Sequence, residues 1–269
     1  MPGPFQNRRA ALVIAHPGHE LRVYHWLSMV RPRVFILTDG SGHSGQSRLQ
    51  RTTSILSSLG TPVGNIYGRL TDAEAYSAVL EGDIDLFTGL ATELARAMVD
   101  DRIEYVVGDA IEGYNPTHDI CGLLINAAVR MAGDMGNCVD NFEVRMAYAF
   151  IGASDPESGT IAIVGDDAMQ ARKLQAARDY SELTADVSRI VEQEGADSLR
   201  TEHLIPVRGI PYAGLFKEPP HYEIHGEKQV ATGRYQHLIR YRDHLLPIAD
   251  GLRQFADGKG LALLANPDY

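Results

Sequence analysis

Two histidines and a carboxylate close the first apolar run of the chain, in the order His16-Pro17-Gly18-His19-Glu20. Further carboxylates end two later apolar runs, at Asp39-Gly40 and Asp109, and a third histidine follows in Asn115-Pro116-Thr117-His118. Neutral imidazole is the commonest protein ligand for zinc, and a catalytic zinc takes three protein ligands and a water. His16 and His19 straddle a Pro-Gly turn, so both rings can face one point, and His118 can bring the third nitrogen from a neighbouring loop. H-x-x-H alone is a weak motif. Placement carries the reading: a His16, His19, His118 centre for Zn²⁺ or another divalent transition metal, beside acids able to move a proton.

Such a cluster needs several strands ending at one edge. Leu12 to Ile14 and Val34 to Thr38 are short, wholly apolar or β-branched runs, as in strands buried on both faces of a parallel sheet, and Ile103 to Val107, apolar or aromatic but for Glu104, reads as a third strand. Helical spacing separates them: from His19 through Leu21, Tyr24 and Leu27; from Ser47 to Leu59, stopped by Gly60; and from Ile84 to Val99. A helix through Leu123, Leu124 and Met131 follows, with Thr117 as its N-cap. Tyr67 to Leu80 is mixed and polar and reads as a connection. Further on, Met146 to Ile151 and Ile161 to Val164 are strand-like, Ala168 to about Glu194 is a long helix, and a last helical stretch starts near Tyr235. The β-α alternation predicts an α/β fold, a Rossmann-like, mainly parallel sheet flanked by helices with a C-terminal elaboration. Ligands of such sheets bind beyond the carboxyl ends of the strands. Residues 1–200 read as the core, and 201–269 as a lid or helical extension of the same domain.

The motifs, in order and spacing, resemble the PIG-L/LmbE-like family of zinc-dependent N-deacetylases over at least Ala11 to Gly133. His16-Pro17-Gly18-His19-Glu20 stands where that family has His-Pro-Asp-Asp-Glu, and Thr38-Asp39-Gly40 matches its Thr-Asp-Gly. Arg48-Leu-Gln-Arg51, with Leu59-Gly60 behind it, stands for its Arg-x-x-Glu helix. Asn115-Pro116-Thr117-His118 stands for His-Pro-Asp-His, and Lys173, Ala176 or Ala177, and Tyr180 echo a later helix. The resemblance implies hydrolysis of an N-acyl bond, in the family an N-acetyl amino sugar, with Arg48 touching substrate. It also locates the departures. The family's general base falls on Gly18, which has no side chain, and its second carboxylate on His19, giving a three-histidine site. Its first His of the later motif falls on Asn115, which can donate a hydrogen bond to an oxyanion but cannot act as an acid. The replacement base is left open among Glu20, Asp39, Asp109 and Glu112. Other readings are a three-histidine tailoring enzyme of small-molecule biosynthesis with non-deacetylase chemistry, and an inactive ligand-binding homologue.

Composition narrows the class. A net charge of −10 over 269 residues argues against a nucleic-acid partner. No apolar run approaches the ~20 residues of a membrane helix, and the N-terminus lacks a signal peptide's apolar region. The two cysteines, Cys121 and Cys138, form no disulfide framework, and Cys121 lies in an apolar helical pattern, as a core residue would. A cytoplasmic enzyme acting on a small molecule is expected, and a homo-oligomer is compatible with the sequence. The stretch His221-Tyr222-Glu223-Ile224-His225-Gly226 reads either as a lid over the pocket or as a dimer contact.

Overall fold

The computed structural model describes residues 5, 7–146, 158–180, 188, 192, 195, 199–208 and 218–259. Strands β1 (Ala10–Ile14), β2 (Arg33–Thr38), β3 (Val63–Leu70), β4 (Tyr105–Asp109) and β5 (Asp140–Val144) run parallel, and β7 (Thr201–Pro206) pairs antiparallel with β5 and with β6 (Ile161–Val164). The order across this seven-stranded sheet is β3-β2-β1-β4-β5-β7-β6. Chain direction across the sheet reverses between β1 and β4, which opens a crevice at their carboxyl ends. The α/β, mainly parallel architecture is therefore the one expected. Residues from 201 onward first add a strand to this sheet.

The apolar runs are continuous because both faces are covered. Ala11 and Val13 of β1 join Phe35 and Val106 under helices α4 (Ile84–Asp100) and α5 (Pro116–Asp134). Leu12 and Ile14 join Val34, Ile36, Tyr105 and Val107 on the other face, with Trp26 and Leu27 of α1 (Tyr24–Val30) and Leu56 of α2 (Leu49–Leu59). Helix α8 (Leu246–Gln254) adds Ile248 and Leu252 to the first layer. Truncating a buried ring such as Phe87 to Ala costs ~3–5 kcal/mol. Cys121 is buried in the first layer and Cys138 is exposed, both as free thiols.

Several boundaries differ from expectation, each for a local reason. Tyr67 to Leu80 is no connection: it holds the end of β3 and most of α3 (Asp72–Glu81). Two glycines blur the strand's pattern. A Cβ at Gly64 would come within 2.2 Å of the Phe35 ring, and one at Gly68, where φ is +64°, within 2.2 Å of Leu49. Position 68 thus combines a left-handed backbone with close packing. The chain after His19 makes a 3₁₀ turn (His19–Val23) before α1 begins. The N-cap of α5 is Asn115, not Thr117: its side chain accepts from Thr117 N, and Pro116 takes the first helical position, where a missing N–H costs nothing. Strand β5 lies ahead of Met146, and 147–151 fall outside the described residues. Helix α6 spans Asp167–Asp179, and most of the continuation expected to Glu194 lies outside the described residues. The last helical stretch starts at Tyr241 rather than near Tyr235.

Candidate metal centre

β1 and β4 set the site. β1 delivers His16 just past its carboxyl end, the turn through Gly18 returns His19, and α5, which follows β4, carries His118 in its first turn. Gly18 has φ 108°, a conformation that disfavours any side chain. The three rings meet edge to face, with centroids 5.3 Å apart for His16–His19, 5.2 Å for His16–His118 and 4.5 Å for His19–His118. Three imidazoles on one tetrahedral ion, with nitrogens about 2.0–2.1 Å from it, have ring centres roughly 5 Å apart.

Carboxylates fix two of the rings. His16 Nδ1 lies 2.9 Å from Asp72 Oδ1 and 2.8 Å from Thr38 Oγ1, and His19 Nδ1 lies 2.9 Å from Asp109 Oδ2. Carboxylates only accept, so each Nδ1 carries the proton and each Nε2 keeps its lone pair. Asp109 is held in turn by the N–H of Ala15, 2.8 Å from Oδ2. His118 Nδ1 is buried and has no hydrogen-bond partner among the described residues. Burial pushes the His118 pKa well below the ordinary imidazole value, and the neighbouring rings add to this. His19 is lowered too, chiefly by burial, with Asp109 working against it. Burial opposes the charge on Asp72, but hydrogen bonds from His16, Thr38 and the Gly42 N–H hold its carboxyl well below the usual range. Among the described residues no group of three or more His, Cys, Asp or Glu side chains is closed around an ion position. The fit to an ion lies in the donor set: clustered neutral imidazoles, an orphaned buried nitrogen and two supporting carboxylates.

The remaining candidates divide by what already occupies them. Glu20 is fully buried and accepts from Gly18 N at 2.6 Å and Thr52 Oγ1 at 2.7 Å; Thr52 in turn touches Tyr180 Oη at 3.2 Å. Burial raises the Glu20 carboxyl above its usual pKa, against the Thr52 hydrogen bond. Asp109 is engaged by His19 and Ala15, and Glu112 accepts from Met146 N at 2.8 Å. Asp39 accepts from Ser41 N through Oδ1 at 2.9 Å, and no hydrogen bond to its Oδ2 is found among the described residues. Arg48 donates through Nε to Gly40 O at 2.5 Å, and its charge reaches both His19 and Glu20. Asn115 Oδ1 is spent on the α5 cap at 2.8 Å, leaving its amide N–H groups.

Sequence reasoning passed over Asp72, and it gave Asp109 no part in orienting a ring. A signal for Asp72 existed. Thr71 and Glu74 form a capping box, which starts a helix at Asp72 directly after a strand. Glu20 and Thr52 carried no such mark, since their contact joins positions 32 residues apart. The His221 stretch does return to the site: it forms α7 (His221–Ala231), whose His221 ring stacks on Tyr114 at 4.9 Å, and Tyr114 lies 6.4 Å from the His118 ring.

No family model matches the chain, and no curated protein matches it. Solved structures do. The deacetylase Dbv21 of the A40926 pseudoaglycone superposes with a TM-score of 0.53 at 16% identity, over 77% of this chain and 100% of that one. A deacetylase of teicoplanin biosynthesis, in complex with teicoplanin, superposes with a TM-score of 0.51 at 16% identity, over 74% of this chain and 97% of that one. At these identities the likeness is one of fold, the α/β architecture of those deacetylases.

Proposed function

We propose that the chain is a metal-dependent hydrolase that removes an N-acyl group, in the first instance N-acetyl, from an amino-sugar-like small molecule, as a divergent PIG-L/LmbE-like enzyme. One observation carries this: His16, His19 and His118 cluster at the sheet's reversal point, two with Nδ1 on carboxylates and the third with a buried, unpartnered Nδ1. The fold shared with two deacetylases of glycopeptide antibiotics, and the order of the sequence motifs, support it.

His16, His19 and His118 would hold the ion, Zn²⁺ or another divalent transition metal. Bound there, it would lower the pKa of its water and polarise the acyl carbonyl. Asp72 with Thr38, and Asp109, keep the His16 and His19 rings in the tautomer that presents Nε2. Asp39, with Oδ2 to spare, takes the proton. The Asn115 amide donates a hydrogen bond to the carbonyl oxygen as it gains charge. Arg48, tethered to Gly40, offers its other N–H groups to the substrate. Glu20 braces the turn at Gly18 from inside.

A second reading draws on Gly18, whose backbone excludes a base at the position where the family has one. It keeps the three-histidine centre but assigns it a different reaction in small-molecule tailoring. Metal analysis of wild type and His118→Ala, with acetate release from N-acetylglucosamine, tests both readings. Stoichiometric metal lost in the variant, together with acetate release, supports the hydrolase. Metal without acetate release from any N-acetyl amino sugar supports the second reading, and unchanged metal in His118→Ala removes the centre.

A further inference from the structure

The rings beside the metal centre continue away from it in a line. From His118 the succession is Tyr114 at 6.4 Å, His221 at 4.9 Å, His225 at 6.2 Å, Tyr235 at 6.5 Å and Tyr76 at 6.3 Å, centroid to centroid. Tyr114 and His221 are nearly parallel at 14°, and His221 and His225 at 25°. This is no buried core. Tyr114 is 42% exposed, and His221, Ile224 and His225, at spacings of three and four, form the solvent face of α7. Tyr222 and Gly226 form its inner face.

The strip is anchored, so it is in place before anything binds. Tyr222 N donates to Gly113 O at 3.3 Å, tying the start of α7 to the loop that bears Tyr114. Glu223 accepts from Tyr241 N at 3.0 Å, and Arg240 pairs with both Glu223 and Glu227. Arg240 thus offsets one of these two carboxylate charges, and the three- and four-spaced face of α7 beside the centre carries His221, Ile224 and His225.

We propose that Tyr114, His221 and His225 form an aromatic subsite, continued by Tyr235, for a flat, uncharged aromatic ring that the substrate carries beyond its acylated amine. The proposal rests on the N-acyl hydrolase reading and names the substrate class of that site. The near-parallel rings suit an aryl partner in offset stacking, worth a few-fold to about tenfold in affinity per good contact. Imidazole faces are too small to give a second sugar much area to lie on.

The test is equilibrium binding by titration calorimetry with the full chain and two probes, 4-nitrophenyl and methyl N-acetyl-β-glucosaminide, with acetate release followed separately. The expected result is about tenfold tighter binding of the nitrophenyl probe. Tyr114→Ala and His225→Ala should each cut that ratio to about two or less, and Tyr114→Phe should keep it. If Tyr114→Ala fails to fold, His225→Ala, on an exposed helix face, carries the same comparison. Equal affinities, no measurable binding of the nitrophenyl probe, a ratio unchanged in the alanine variants, or tighter binding of diacetylchitobiose would each overturn the subsite. Aryl preference without acetate release removes the hydrolase reading alone, and acetate release without aryl preference removes the subsite alone.

Discussion

The Asp72 carboxylate stands 2.9 Å from His16 Nδ1 although 56 positions separate them, because β3 ends beside β2 and α3 begins where β3 ends. Asp109 holds the equivalent place beside His19. A carboxylate behind a metal-binding imidazole fixes the ring and raises its basicity, and losing it typically weakens metal affinity 10–100-fold. Asp72→Ala and Asp109→Ala should each weaken Zn²⁺ binding by about that factor in a competition titration with a chromogenic chelator. Wild-type affinity in both variants would detach these carboxylates from the centre.

Asp39 accepts through Oδ1 alone among the described residues, whereas both oxygens of Glu20 and of Asp109 are engaged and Glu112 Oε1 is tied to Met146 N. Asp39→Asn should lower kcat by ~10²–10⁴ at equal metal content, the range for loss of a general base. Asp109→Asn and Glu112→Gln should fall far less in kcat, and Glu20→Gln should show chiefly a lower melting temperature. Four variants with near-wild-type kcat would mean that no carboxylate takes the proton.

Refitting the family's base at position 18 should fail for a backbone reason. At φ 108° Gly18 sits where a side chain is strained, so Gly18→Asp should cost ~1–3 kcal/mol of stability in urea unfolding and gain no deacetylation. A stable, more active Gly18→Asp enzyme would show that the turn relaxes.

Lys173 and Glu202 are paired at 2.8 Å with almost no exposure, and Glu202 also accepts the N–H groups of His25 and Trp26 at the start of α1. Burial lowers the Lys173 pKa, against the attraction of Glu202. Glu202→Ala should therefore destabilise by ~3–5 kcal/mol, since it strands a buried cation and uncaps α1. A loss below 1 kcal/mol in urea unfolding would contradict this.

Asp119 gives the pH dependence. Burial pushes its carboxyl pKa up to about 8, although Glu112 N and Gly113 N donate to Oδ1, and Oδ2 has no partner among the described residues. The folded state holds this proton above 3.8, the ordinary value at which an unfolded aspartate releases it. The group's contribution is therefore fully present below that value and is lost as pH rises through about 8. Asp119→Asn, which cannot ionise, should flatten this part of a melting temperature against pH curve and melt above wild type at pH 8–9. Parallel curves for the two proteins would contradict it.

Strand identity was legible along the chain, because a strand covered on both faces must be apolar at every position, and Leu12–Ile14 and Val34–Leu37 are. The ends of those strands then pointed to His16, His19, Asp39 and His118 without any contact being known, since parallel strands share one carboxyl edge. The edge strand β3 escaped because Gly64 and Gly68 are there for Phe35 and Leu49, partners that only packing reveals. Asp72 escaped with it.

What the tertiary structure alone decided is the division of labour among the acids. Glu20, Asp39 and Asp109 look alike as strand-end carboxylates, yet Thr52 and the Gly18 N–H take up Glu20, and His19 and Ala15 take up Asp109. Each of those pairings except Gly18–Glu20 joins positions far apart in the chain, and a carboxylate's role depends on its partners and its burial rather than on its neighbours in sequence.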